Sequence, residues 1–519
     1  MRLTIKLTAV FYLTIAWINL TAQPAADQIR QLDAYFQQAL IDWDMPGMSF
    51  AIVHKDTVLF AKGYGVTDII TRQPVDEHTL FAVASNTKAF TAAAILMLAE
   101  ENKLQLDDKV VSHLPYFALY DPYVSQAMTI RDLLTHRSGL KTFSGDLIWY
   151  GSTYSREEIV RKARFLKPQY GFREQFGYSN IMYIAAGEVV ASVSGMSWDE
   201  FIQTRILDPL GMKRSTLHVS DLVLRDNVAQ PHTYVNGQLR AIPWLDWDNM
   251  GPAGSLISSA SEMANWLRMN LNEGNFNGLQ LLIPSRIFEM QTAVTPLPVT
   301  KAFINRFPGT HFRSYGLGWS LMDYQGRKIV MHNGGYDGMI SQTLLIPEEN
   351  IGFVILTNAL SNMYYPLMYK TLDVLLNNLV ETDWSSQFLE RNKKAEENQN
   401  QWMTEQQQVR QTKTNPSLPL SEYTGIFGSP IYDSVKIEIE NKQLNLQMMR
   451  SPKFKGILSH WHYDTFEIEF PLFPSLPKGL VSFQLDRTGK VNAMEIYIDN
   501  PDFDFTELEL KKVVPIKAD

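Results

Sequence analysis

Apolar and polar positions follow two different periods along this chain, and the change of period divides it. In "MSFAIVHKDTVLFAKGYGV" (48–66) two short apolar runs flank Lys55-Asp56, which predicts two strands and a turn. "FAVASNTKAFTAAAILML" (81–98) has almost no polar face and predicts a buried helix. Helical spacing also predicts helices over 26–42, over 129–140 ending at Gly139, over 178–195 with a Gly stop, and over 258–274 behind a serine cluster. Strands are predicted through 314–358 ("SYGLGWSL", "KIVMHNGG", "SQTLLIPEE", "IGFVILTN"), followed by a helix over 363–380. Helices first, strands later and one early hairpin predict a sheet flanked by helices and assembled from distant parts of the chain.

The pattern then shifts. Residues 391–419 are rich in Gln, Asn and Lys and end in prolines, which reads as a linker or an exposed helix. Beyond them apolar and polar residues alternate, with turn signals at Asn441-Lys442 and Thr488-Gly489. That predicts an all-β module, a small barrel or sandwich. The expected organisation is a first domain over 26–385, a polar linker over 386–419 and a β-domain over 420–519.

Length and composition narrow the class. At 519 residues, 45% apolar and 20% charged, the chain is an ordinary globular sequence too long for one core. A net charge of −8 argues against a nucleic-acid partner. Met1–Lys6 is a short basic start, and "LTAVFYLTIAWINL" (7–20) is an apolar run too short to span a bilayer comfortably. Residues 1–22 therefore read as a signal peptide cleaved near Ala22 or Gln23, so a periplasmic or secreted protein with no stable membrane span is expected. With no cysteine, the exported chain relies on core burial rather than disulfides.

The buried helix carries a puzzle: Lys88 sits in its first turn, three residues after Ser85. Burial makes an ammonium expensive, but it also lowers the lysine pKa, and an amine one turn below a serine can activate its hydroxyl. The helix N-terminus favours negative charge developing at Ser85. Ser-x-x-Lys also occurs at Ser138 and Ser475, yet only Ser85 opens an apolar helix. By itself the motif is weak, because a capping serine and a solvent-seeking lysine fit it too. Two further motifs add weight. Tyr178-Ser179-Asn180 stands at the start of an apolar helix, offering a phenol for proton transfer and a carboxamide for substrate or Lys88. Tyr234-Val235-Asn236, before Gly237, reads only as a hairpin turn. His332-Asn333-Gly334-Gly335 ends a strand, where glycines admit a substrate to the backbone.

In that order, Ser85-Lys88, Tyr178-Asn180 and His332-Gly334 resemble the signature of the serine β-lactamase and penicillin-binding-protein superfamily. The likeness is greatest to the branch of class C β-lactamases, D-amino-acid-specific peptidases and carboxylesterases. The phrases "TIRDLLTHRSGL", "ILDPLGM", "GPAGSLISSASEMANWL" and "YGLGWSL" share the family's habits, and the resemblance spans about 28–380. It implies an α/β (α+β) domain: an antiparallel sheet flanked by helices, plus a mostly helical lobe. It implies Ser85 as acylated nucleophile, Lys88 and Tyr178 as general base with Tyr178 returning the proton, and Asn180 as a substrate-orienting group. The N–H groups of Ser85 and Gly335 would form the oxyanion hole, with His332, Asn333 and Gly334 beside them. No cofactor or metal is implied. The C-terminal module resembles the lipocalin-like barrels appended to some members, which could cover the cleft or mediate an oligomer.

One departure matters. Where the family often has Lys-Thr-Gly, this chain has His332 and Asn333. A histidine is mostly neutral at pH 7, so efficient β-lactam hydrolysis and carboxypeptidase action are disfavoured. Small esters and D-amino-acid peptides or related cell-wall fragments are the expected substrates. The alternative is a penicillin-binding or peptidoglycan-fragment-sensing protein that does not turn over. Elsewhere, His460 and His462 share one side of a predicted strand without a third ligand, and His136 reads as structural. Trp244 and Trp247 suit a pocket or a core equally. An α/β-hydrolase reading lacks its Gly-x-Ser-x-Gly elbow.

Overall fold

The computed structural model describes residues 26–235, 237–307, 309–378 and 382–513. The proposed signal peptide lies outside the described residues. The first hairpin pairs β1 (Gly47–His54) with β2 (Thr57–Gly65). Far along the chain come β3 (Thr295–Pro296), β4 (Arg313–Tyr315), β5 (Ser320–Tyr324), β6 (Arg327–Tyr336), β7 (Met339–Ile346) and β8 (Ile351–Thr357). Together they form one eight-stranded antiparallel sheet in the order β2-β1-β8-β7-β6-β5-β4-β3.

Both sheet faces are covered, so β1 and β8 are buried along their whole length and read as near-continuous apolar runs. On one face lie α1 (Ala26–Asp42) and a later helix over Tyr364–Leu375, around Phe36, Phe50 and Phe353. On the other lie α2 (Thr87–Glu100), α3 (Asn180–Ser194) and α4 (Ala260–Leu271), which with shorter helices make a mostly helical lobe. Every residue of α2 from Thr87 to Ala99 is buried. Phe90 stacks on Trp266 of α4 at 3.9 Å. A helix that is apolar all round belongs in such a core.

Several boundaries move. The helix expected over 129–140 stops at Leu134, after a capping box of Thr129 with Asp132. His136 then takes a left-handed conformation (φ 54°) and turns the chain toward Tyr178. "SYGLGWSL" is no continuous strand: Gly318, at φ 75°, bends between β4 and β5. The polar stretch is a helix over Trp384–Val409, the exposed-helix alternative to a linker.

The C-terminal module is a closed eight-stranded antiparallel barrel running from Gly425 to Lys512. Phe427, Leu446, Ile468, Val481 and Phe483 are among its buried residues. Closure leaves no free edge. The barrel docks on the helical lobe. Lys162 pairs with Asp433 at 2.6 Å, Arg450 with Glu158 at 2.6 Å, and Lys141 with Asp504. Tyr150 of the first domain packs its ring against Phe454, Phe473 and Phe503 of the barrel. Among the described residues no single helix is long and apolar enough to cross a membrane.

Candidate active site

Ser85 lies in a short 3-10 turn, Ala84–Asn86, that runs straight into α2. Ala84 before it holds φ 46°, a left-handed conformation costly for a residue with a Cβ. Local bonds hold the turn. Thr87 Oγ1 donates to the Ala84 carbonyl at 2.6 Å, and Asn86 Nδ2 donates to Ser341 Oγ of β7 at 2.8 Å. The strained turn is thereby tied to the sheet.

Lys88 is fully buried one turn below. Its Nζ lies 3.1 Å from Ser85 Oγ, 2.7 Å from Asn180 Oδ1 and 2.8 Å from the Ala253 carbonyl. Burial drives its pKa well below the ordinary lysine value, against the opposing pull of Asp146. A neutral amine has two N–H bonds and one lone pair. The Asn180 and Ala253 oxygens can only accept, so they take both N–H bonds and leave the lone pair for the Ser85 hydroxyl.

Asn180 is oriented in turn. Its Nδ2 donates to Asp146 Oδ2 at 2.7 Å, which turns Oδ1 toward Lys88. Burial pushes the Asp146 carboxyl up to about 7 despite this bond. Neither Asp146 nor the Ala253 carbonyl was foreseen as part of the site.

Tyr178 faces the same hydroxyl. Its phenol is hydrogen-bonded to the Ser85 side chain, and Lys88 Nζ lies 4.6 Å from its ring centroid. Burial raises the phenol pKa well above its ordinary value, so it stays protonated at neutral pH. His136 supports this ring at 4.2 Å, and its Nδ1 accepts the Ser179 N–H at 3.0 Å. His136 is thus a positioning residue. Gly177 lets the chain pass there, since a Cβ would meet the Leu140 carbonyl oxygen at 1.8 Å.

The third wall is β6. Gly334 presses on the Ser85 turn: a Cβ there would lie 2.3 Å from the Val83 oxygen and 2.8 Å from the Ser85 nitrogen. Asn333 and Gly335 line the cleft beside Ser85. β5 pairs with β6 only up to Met331, so 332–336 run beyond β5 into the cleft. Burial, with Lys88 second, lowers the His332 pKa to about 3. Its Nδ1 donates to the Asn333 carbonyl at 2.6 Å and its Nε2 accepts from Tyr315 at 2.9 Å. His332 is therefore neutral and committed to internal partners. It is no substitute for a permanent cation.

The cleft has a volume of about 480 Å³. Trp247 lines it and packs on Tyr336 at 4.6 Å, whereas Trp244 packs behind Tyr336 at 5.1 Å. The barrel closes one side with Ser475, Asn500, Asp502 and Phe503. Asp337 sits there too, accepting from Tyr150 at 2.6 Å, its carboxyl raised to about 6 by burial. Ser138 is buried away from this cleft with its Oγ accepting from Leu140 N–H. His460 donates to the Tyr463 carbonyl and His462 accepts from the Gln411 N–H. Among the described residues no group of three or more metal-ligating side chains occurs.

Known proteins share this architecture. The family model described as Beta-lactamase matches residues 32–373, and one described as a domain of unknown function, DUF3471, matches 409–512. An unguisins hydrolase from Aspergillus campestris is 30% identical over 77% of this chain and 76% of its own. A second unguisins hydrolase, from Aspergillus violaceofuscus, is 27% identical over 80% and 77%. The octameric penicillin-binding protein homologue from Pyrococcus abyssi covers 93% of this chain and all of its own, with a TM-score of 0.61 at 22% identity.

Proposed function

We propose, from the premise that this chain belongs to the beta-lactamase family of serine hydrolases, that it cleaves small esters or D-amino-acid amides through an acyl-enzyme on Ser85. The observation that carries the reading is the set of partners around Lys88, two obligate acceptors and the Ser85 hydroxyl. Neutral Lys88 takes the Ser85 proton as Oγ bonds to the substrate carbonyl carbon. The carbonyl oxygen becomes an oxyanion, held by the N–H groups of Ser85 and Gly335. Such donors typically contribute about 10²–10³ in rate. Tyr178, protonated, passes a proton to the departing oxygen or nitrogen as its bond to carbon breaks, and is itself reprotonated from Lys88. Water then attacks the acyl group along the same route. Burial sets the two pKa values apart, the amine as base and the phenol as acid.

The neutral His332 supports weak action on β-lactams. Export belongs to the same reading, supported by the basic start and apolar run before Gln23. Intact-mass spectrometry after exposure to an activated ester and to a penicillin tests it. A transient acyl group mapped to Ser85, with ester turnover and no lasting penicillin adduct, is expected. A lasting penicillin adduct without ester turnover would instead identify a sensor. An acyl group that persists in Ser85→Ala would remove the nucleophile assignment.

Asp146→Asn is expected to slow acylation about tenfold, through a weaker bond to Asn180. It should also move the acid limb of kcat/KM to lower pH. The Asp146 charge favours the Lys88 ammonium, so without it the amine loses its proton at lower pH. A limb that stays put or moves up would take Asp146 out of the network.

A further inference from the structure

Lys88 takes one of its two acceptors from a turn that α2 itself holds. The helix Gly251–Gly254 is a single turn, and a helix leaves its last carbonyls without partners of its own. The Gly251 carbonyl accepts from the Ser255 N–H at 3.1 Å. The next two carbonyls face α2. Thr91 Oγ1 donates to the Pro252 oxygen at 2.7 Å, and Lys88 Nζ donates to the Ala253 oxygen at 2.8 Å. Lys88 and Thr91 are three apart on one helix, so they share a face and grip neighbouring peptides.

Thr91 is fully buried, and its hydroxyl is committed. Trp198 Nε1 donates to Thr91 Oγ1 at 3.0 Å, which leaves the hydroxyl hydrogen for the Pro252 oxygen. The far side of the turn is packed without slack. A Cβ on Gly187 of α3 would lie 2.1 Å from Pro252 Cγ, and one on Gly251 would lie 2.4 Å from Arg156 Nη2. Arg156 in turn donates to the Asp248 carbonyl at 2.6 Å and pairs with Asp199. The turn thus sits between a fixed wall and the Thr91 hydroxyl. No side chain on it titrates, since it consists of Gly251, Pro252, Ala253 and Gly254. The titratable groups that face Lys88 come from other elements: Asp146, His136 and His332, with the rings of Tyr178 and Tyr183 at 4.6 and 5.4 Å from Nζ.

We infer that Thr91, oriented by Trp198, is a positioning residue that fixes the Ala253 carbonyl and thereby aims the Lys88 lone pair at Ser85. The inference rests on the serine-hydrolase reading for what that lone pair does. Without the Thr91 bond, the Pro252–Ala253 peptide is free to turn away from Lys88. The amine then loses an acceptor, and its lone pair no longer points only at the Ser85 hydroxyl. The ammonium loses more, because a carbonyl holds a charged donor about twice as strongly as a neutral one. The Lys88 pKa therefore falls further, although no charge has been added or removed.

The test is Thr91→Val, which keeps the branched shape and removes the hydroxyl, with Thr91→Ser as the conservative control. For an activated ester, the plateau of kcat/KM should fall about tenfold in Thr91→Val. Its acid limb should move about one unit to lower pH. Thr91→Ser should restore both. A general loss of structure would lower the rate without moving the limb, and circular dichroism reads it directly. NMR titration of isotope-labelled lysine side chains, with Lys88 assigned by its loss in Lys88→Met, follows the same group without turnover. A limb and a Lys88 titration that both stay in place in Thr91→Val overturn the inference and leave Ser85-dependent hydrolysis standing. A Lys88 titration that moves, in a protein with no Ser85-dependent hydrolysis, sinks the hydrolase reading and keeps the coupling of Thr91 to Lys88.

Discussion

Ser85→Ala, Lys88→Met and the double variant are expected to lower kcat for an activated ester by the same factor, on the order of 10⁴. On the proposed mechanism the two side chains act as one unit. Without the hydroxyl the amine has nothing to deprotonate. Without the amine the hydroxyl keeps its proton, because Tyr178 is already protonated and Asn180 can offer only an amide. In the wild type kcat/KM should rise with pH through the depressed Lys88 pKa, since acylation needs the free amine. The residual activity of Lys88→Met should lack that limb. Circular dichroism on all three variants separates lost chemistry from lost structure. Should the double variant lose the product of the single losses, the two residues act independently and the nucleophile–base assignment fails.

Gly334→Ala is expected to cost about 10² in kcat/KM, the scale of an ångström's misplacement in a reacting pair. It should also cost about 1–3 kcal/mol of stability, as overpacking does. The added methyl would meet two backbone atoms, the Val83 oxygen at 2.3 Å and the Ser85 nitrogen at 2.8 Å, as well as Ser341 Oγ at 2.6 Å, and the backbone atoms cannot swing away. Relief requires β6 and the Ser85 turn to part, and the Asn86–Ser341 bond resists that. The neighbouring glycine gives the contrast. A Cβ on Gly335 meets nothing nearer than Ile340 Cδ1 at 3.7 Å, so Gly335→Ala should leave the melting temperature where it is. Equal melting temperatures for both variants would show that the contact at Gly334 relaxes freely.

What could be read in advance was local. Ser85 and Lys88 are three apart at the head of an apolar helix, and helical geometry alone brings such residues together. Tyr178 and Asn180 straddle the start of α3 for the same kind of reason. The alternation beyond residue 420 announced an all-β module because its period is a property of each strand. Harder to read were boundaries set by distant contacts. The helix after Thr129 ends early because His136 must turn to support Tyr178. "SYGLGWSL" breaks at Gly318 because the chain there lies on the backbone of Lys88 and Ala89, 2.8 Å from where a Cβ would be.

The sequence by itself determined the residues of the candidate site: a serine and lysine on one helix, a tyrosine and asparagine at the head of another, a glycine pair on a strand, and a β-domain behind them. Only the tertiary structure decided how those residues are wired. It set Asp146 to orient Asn180, the Ala253 carbonyl to accept a hydrogen bond from Lys88 and the neutral state of His332. The physical reason is range. Spacing within one element fixes neighbours a turn apart, whereas burial and hydrogen-bond partners on other elements, as far as 165 residues along the chain, exist only once the sheet, lobe and barrel have packed together.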